Sequence, residues 1–101
     1  MSGIVCFLVD EARRDRWRIA ATGRPVLDFA RAESKRLDVK VYPAHTPMYG
    51  DESHVGQIEA YLSKYSQGDG WYGPLSDEAM KALATRIRKE GMGFLVAEVL
   101  S

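Results

Sequence analysis

Thiols are almost missing from this chain, whose only cysteine is Cys6. An intrachain disulfide is therefore excluded, and with it the small disulfide-stapled secreted class. Long apolar runs are missing too. The first, residues 3–9, falls far short of the ~20 residues that a membrane-spanning helix needs, and Asp10 and Glu11 follow it at once. The start of the chain lacks the basic residues, extended apolar stretch and small-residue cleavage site of a secretory leader, so a cytoplasmic location without membrane attachment is expected. Net charge is absent: fourteen Lys or Arg balance fourteen Asp or Glu. No overall field draws the molecule to nucleic acid or anionic lipid. The charge is unevenly spread, however, with nine basic to six acidic residues in positions 1–50 and five to eight in positions 51–101, giving +3 and −3.

What is present is a globular composition. With 46% apolar and 28% charged residues in 101 positions, the chain is apolar enough to fold alone and too short for two cores. One domain over residues 1–101 is expected.

Residues 4–9, continuously apolar and rich in β-branched side chains, have the pattern of a strand covered on both faces. Further along, Trp17, Ile19 and Ala21 alternate with Arg16, Arg18, Ala20 and Thr22. The period of two favours a second strand over a helix capped by Asp10, with residues 10–15 as the hairpin connection. Gly23 and Pro25 then lead into a helix whose apolar positions are Val26, Leu27, Phe29, Ala30 and Leu37. Residues 38–42 alternate again and read as a half-buried strand stopped by Pro43; residues 43–53, with two prolines and a glycine, read as loop. A second helix carries Val55, Ile58, Tyr61, Leu62 and Tyr65 and is expected to end near Ser66. Residues 67–75 hold three glycines, a proline, Trp71 and Tyr72, and read as a loop. Ser76 is an N-cap for a third helix, with Met80, Leu83, Ala84 and Ile87 on its inner face and Gly91 as its stop. The last apolar stretch, residues 94–100, reads as a buried strand. The expectation is an α+β domain of order ββαβααβ, with about three helices packed on one face of a mixed four-stranded sheet. Its first and last strands would be central, because an apolar edge invites unwanted pairing.

Candidate chemistry is sparse. His45, His54 and Asp51 are metal-ligand or acid–base types, but their spacing matches no zinc or hydrolase signature, so a small metal-dependent or hydrolytic enzyme is an alternative only. Cys6 sits among apolar neighbours and reads as packing, not as a nucleophile. The run 67–70 lacks both the alternating oxygen ligands of a calcium loop and the Gly-Lys-Ser/Thr of a phosphate loop. Neither a catalytic residue nor a metal or other cofactor is assigned. Arg13, Arg14, Arg16 and Arg18 surround Trp17 and raise a second alternative, a nucleic-acid accessory protein, although Asp10, Glu11 and Asp15 are interleaved with them.

The aromatics outside regular elements point elsewhere. Trp, Tyr and Arg are the types most enriched at interface hot spots. Trp71 and Tyr72, with Tyr49, Arg16 and Arg18 beside them, are therefore the candidate contact residues of a non-enzymatic protein-binding module. The competing role for Trp71 and Tyr72 is a plug folded back over the core. Such a module would regulate or inhibit a larger macromolecular partner, as small inhibitors carried by phages and mobile elements do against host defence systems. A homodimer through an exposed strand edge is compatible with the same pattern.

Overall fold

A computed structural model describes residues 3–100, with the side chains of Thr46, Pro47, Val99 and Leu100 left aside. Its elements are β1 (Gly3–Asp10), β2 (Trp17–Thr22), α1 (Val26–Leu37), β3 (Val41–Gly50), α2 (Glu52–Tyr61), a 3-10 turn (Ser63–Tyr65), β4 (Ser66–Gly68), β5 (Trp71–Tyr72), α3 (Asp77–Glu90) and α4 (Gly93–Leu100). The five strands form one sheet in the order β3-β1-β2-β5-β4, with every neighbouring pair antiparallel. The α+β class stands. The sheet is antiparallel and five-stranded where a mixed, four-stranded one was expected, and the described residues form four α-helices.

The continuous apolar run of β1 is explained by what covers it. Val5, Phe7 and Val9 point to one face, where Trp17, Ile19, Met48 and the inner sides of α2, α3 and α4 close the main core. Cys6 and Leu8 point to the other, where they meet Ala30, Val41 and Trp71 in a second cluster flanked by α1. The sheet is thus sandwiched, with α1 on one side and the remaining helices on the other. The expected single helical layer would have left Cys6 and Leu8 in water.

The C-terminal segment departs furthest from expectation. Residues 94–100, read as a second central strand, form α4. A short apolar run does not by itself distinguish a buried strand from a helix, and here the flanks of β1 are already taken by β2 and β3. The helical period is visible in what each residue touches. Leu95 is fully buried, Phe94 lies under the Arg86 guanidinium at 3.9 Å and edge-on to Tyr61, and Glu98 pairs with Arg86 at 2.9 Å. Val96 is 44% exposed.

Two segments read as loops are strands. The chain between Pro43 and Gly50 continues β3 along the outside of the sheet, with a register shift opposite β1 and a positive φ of 63° at His45. Proline is tolerated there because β3 has a neighbour on one side only. The edge is also partly occupied from within: Ser34 Oγ accepts the Val41 N–H at 3.0 Å, and Arg88 donates to the His45 carbonyl at 2.8 Å. Within residues 67–75, β4 and β5 form a hairpin whose two-residue turn, Asp69 and Gly70, has φ of 55° and 81°. Positive φ at both positions is the turn that matches strand twist, and an Asp-Gly pair is its usual sequence. The second helix ends at Tyr61, earlier than expected, and the 3-10 turn completes the approach to β4.

The start and stop of α3 agree with the sequence reading. Ser76 Oγ accepts the Ala79 N–H at 3.0 Å, and Gly91, at φ 79°, ends the helix.

Assignment of residues 94–100 to a helix predicts an asymmetry at adjacent positions. Leu95→Ala should cost about 2–5 kcal/mol of unfolding free energy, while Val96→Ala should stay within about 0.5 kcal/mol of wild type. Urea unfolding checks both; equal large losses would restore the two-sided strand.

Candidate binding face

The candidate residues do not all meet. Tyr72 points into the main core and is 9% exposed. Burial, then the neighbouring Glu59 carboxylate, pushes its hydroxyl above the usual tyrosine range. Tyr49 stands at the far edge of the sheet on β3, 79% exposed, beside Met48, Ile87 and Arg88. The loop aromatics therefore make no common exposed patch: Trp71 and Tyr72 are both buried, on opposite faces of the sheet, as the plug alternative has it.

Arg16, Arg18 and Trp71 do come together, on the α1 side of the sheet. Alternation along β2 sends Trp17 and Ile19 to the main core and Arg18 to the opposite face. Pairing of Trp17 with Tyr72 then places Trp71 on Arg18's face. The Arg16 and Arg18 guanidinium carbons lie 3.9 Å and 4.9 Å from the Trp71 ring centroid. Trp71 is only 8% exposed because the two arginines and the second cluster cover it.

Each arginine is held by a different device. The buried Asp10 carboxylate receives Arg16 Nη2 at 2.7 Å and Nε at 3.1 Å on one oxygen, and the Ala12 and Arg13 N–H groups at 2.9 Å and 3.3 Å on the other. Burial alone would raise this carboxyl. The hydrogen bonds from Arg16, Ala12 and Arg13 outweigh it and hold Asp10 below the ordinary aspartate range. Arg18 donates from Nη1 to the Asp69 carbonyl at 2.6 Å. A Cβ on Gly70 would come 2.8 Å from Arg18 Nη2, so the turn has glycine both for its φ and for the passage of this side chain. Burial, and next the positive charge of Arg36 on α1, lower the Arg18 pKa.

The basic cluster is consequently divided. Arg16 and Arg18 are engaged on Trp71, while Arg13 and Arg14 sit exposed in the β1–β2 connection.

The histidines are engaged separately. His45 Nε2 lies 2.9 Å from Asp77 Oδ1, and its ring stacks on Trp17 with centroids 6.0 Å apart. His54 belongs to the cap of α2. Its Nδ1 accepts the Asp51 N–H at 3.0 Å while Asp51 Oδ1 accepts the His54 N–H at 3.4 Å and the Ser53 N–H at 3.0 Å. This is a capping box with histidine in the place usually taken by Glu or Gln. Because Nδ1 accepts a backbone hydrogen, its 3.1 Å approach to Asp51 Oδ1 is a consequence of the cap and not an ion pair. Asp51 and His54 serve a helix end and His45 serves α3; among the described residues no three His, Cys, Asp or Glu are grouped to hold a metal ion. Cys6 is fully buried, and burial pushes its thiol up to about 11, so little thiolate forms near neutral pH.

A groove of about 590 Å³ between the end of α2, α3 and α4 has Tyr61, Tyr65, Arg86 and Glu98 in its lining. Arg86 meets Glu98 at 2.9 Å across it and Glu90 at 3.2 Å beside it, while Lys64 lies over the Tyr65 ring. The Arg86 hydrogen bond, and next that of Tyr61, hold Glu98 below the usual glutamate range. Together with Phe94 these residues clamp α4 to α3.

No family model, curated protein or solved structure matches the chain. Among the described residues, no helix is long and apolar enough to cross a membrane.

Asp10→Asn tests the anchor of this face. The carboxylate's contribution is complete above the ordinary aspartate pKa of 3.8 and is lost as pH falls through the depressed folded value. The variant should therefore lose about 1–3 kcal/mol at neutral pH. Wild type and variant should converge in acid, once Asp10 is protonated in both states. Denaturant melts across pH check this; a constant gap would show that the charge is not the cause.

Proposed function

We propose that the protein is a non-enzymatic binding module that regulates or blocks a larger protein partner through the face carrying Arg16, Arg18 and Trp71. The observation behind this reading is the stack itself. Helix α1 lies over β3 and β1, so the part of that side formed by β2 and β5 is covered by side chains alone. There, two guanidiniums lie over one indole within 5 Å of its centroid.

The chemistry favours recognition. Arginine supplies planar contact area and is enriched among the residues that dominate binding energy, and the buried Trp71 ring supports both guanidiniums from beneath. The Asp10 carboxylate and the Asp69 carbonyl fix the guanidiniums before any partner arrives, which reduces the entropy lost on association. The titratable groups that would suit hydrolysis are used otherwise: His45 with Asp77, His54 and Asp51 at a helix cap, and Cys6 in the core. Tyr49 belongs to a separate edge surface and takes a secondary role in this reading.

Affinity capture from the native host, with cross-linking to map contacts, tests the proposal on folded variants. Arg18→Glu should weaken retention of the partner about tenfold or more, while Tyr49→Ala should leave it within about threefold. Loss with Tyr49→Ala and retention with Arg18→Glu would move the working surface to β3 and overturn the proposal.

A further inference from the structure

The three guanidiniums gathered on the α1 side of the sheet are unequal. Arg16 is neutralised by Asp10 at 2.7 Å, and Arg36 by Glu33 at 2.6 Å. Arg18 lies between these pairs, and among the described residues its hydrogen-bond acceptor is a neutral carbonyl, that of Asp69. A half-buried cation with no carboxylate at ion-pair distance is a costly arrangement, which Glu33, Glu59 and Asp69 offset only from further away. The lowered pKa of Arg18, from burial and then from Arg36, expresses that cost.

Resting on the binding-module reading, we infer that Arg18 is the receptor for a single carboxylate side chain of the protein partner, an Asp or Glu laid over the edge of the Trp71 indole. With Nη1 held by Asp69, Arg18 keeps Nε and Nη2 to donate, the pair of donors that meets a carboxylate side-on through two parallel hydrogen bonds. The stack on Trp71 fixes the plane of the fork, and the Asp69–Gly70 turn fixes its depth.

The surroundings select one charge over a line of them. Glu33, Glu59 and Asp69 act on Arg18, and Asp10 is taken up by Arg16. A phosphodiester strand places a charge at every step and gains affinity by neutralising several at once; here Arg16 and Arg36 are already paired with Asp10 and Glu33, which leaves Arg18 alone of the three without an ion-pair partner among the described residues. An isolated acidic side chain within a folded protein surface needs only Arg18 as its counter-charge.

The test uses N-acetyl-glutamate amide as probe, its neutral glutamine analogue as control and a short oligothymidylate as the competing class. Side-chain NMR signals of Arg18 Nε–H and Trp71 Nε1–H in the full chain serve as readout. The glutamate probe should shift both signals saturably, the glutamine analogue should not, and Arg18→Gln should weaken the residual response at Trp71 about fivefold or more. Should Arg18→Gln disturb the fold, Arg36→Gln on exposed α1 provides the second arm: by removing a repelling cation and freeing Glu33, it should also weaken the probe, about twofold or more. Equal shifts with the glutamate and glutamine probes, or none with either, would overturn the inference. So would oligothymidylate binding at Arg18 with a steep salt dependence. If the probe fails while partner capture still depends on Arg18, the binding module stands and only the carboxylate assignment falls.

Discussion

The pair of buried Asp10 and partly exposed Arg16 joins the parts of this fold that sequence places furthest apart in role. Asp10 ends β1, and its carboxylate gathers two amides of the β1–β2 connection and the guanidinium that opens β2. The backbone closes on the same point, with the Asp10 N–H donating to the Arg16 carbonyl at 3.0 Å. Once the hairpin is fixed, alternation sends Trp17 to one face and Arg18 to the other. Trp17 then donates from Nε1 to the Leu75 carbonyl at 2.9 Å, and that tie draws the segment after β5 against the core. Arg16, held by Asp10, covers Trp71 on the opposite face. Hairpin register, the docking of β5 and the arginine stack therefore share one carboxylate.

Much of this architecture was legible in the residues. The strand over Trp17–Thr22 followed from strict alternation, and α3 followed from Ser76, its acidic first turn and Gly91, because each signal there has a local cause. The errors came where local signals were silent on the neighbours. Residues 94–100 are apolar enough for a central strand, but the sheet positions beside β1 were already filled, a fact carried by residues 17–22 and 41–50. Pro43 suggested the end of a strand because proline cannot serve in the middle of a sheet; it is compatible with β3 because β3 is an edge. The Asp69-Gly70 pair did carry a hairpin signal. Its flanking strands, of three and two residues, were too short to show alternation.

The candidate site was legible in residue type and not in assembly. Arg16, Arg18 and Trp71 stand out by their chemistry in the sequence, yet Trp71 lies 53 positions after Arg18, and only the pairing of Trp17 with Tyr72 brings them to one face. The same pairing removes Tyr72 from the surface, since adjacent residues of a strand point opposite ways. The buried role of Asp10 was missed because an aspartate after an apolar run reads equally well as a turn residue. What distinguishes it is Arg16 six positions later, a partner that only the closed hairpin brings within reach.

The central claim is that Asp10, Arg16 and Trp71 act as one unit, and a double-mutant cycle on unfolding free energy measures this directly. Asp10→Asn, Trp71→Leu and the double variant would be unfolded in urea at neutral pH. If Asp10 holds Arg16 on the indole, the two losses should fall short of additivity by about 0.5–1 kcal/mol, the scale of a cation–π contact. Strict additivity would mean that the carboxylate and the indole stabilise the fold independently, and the account of a shared anchor would be wrong.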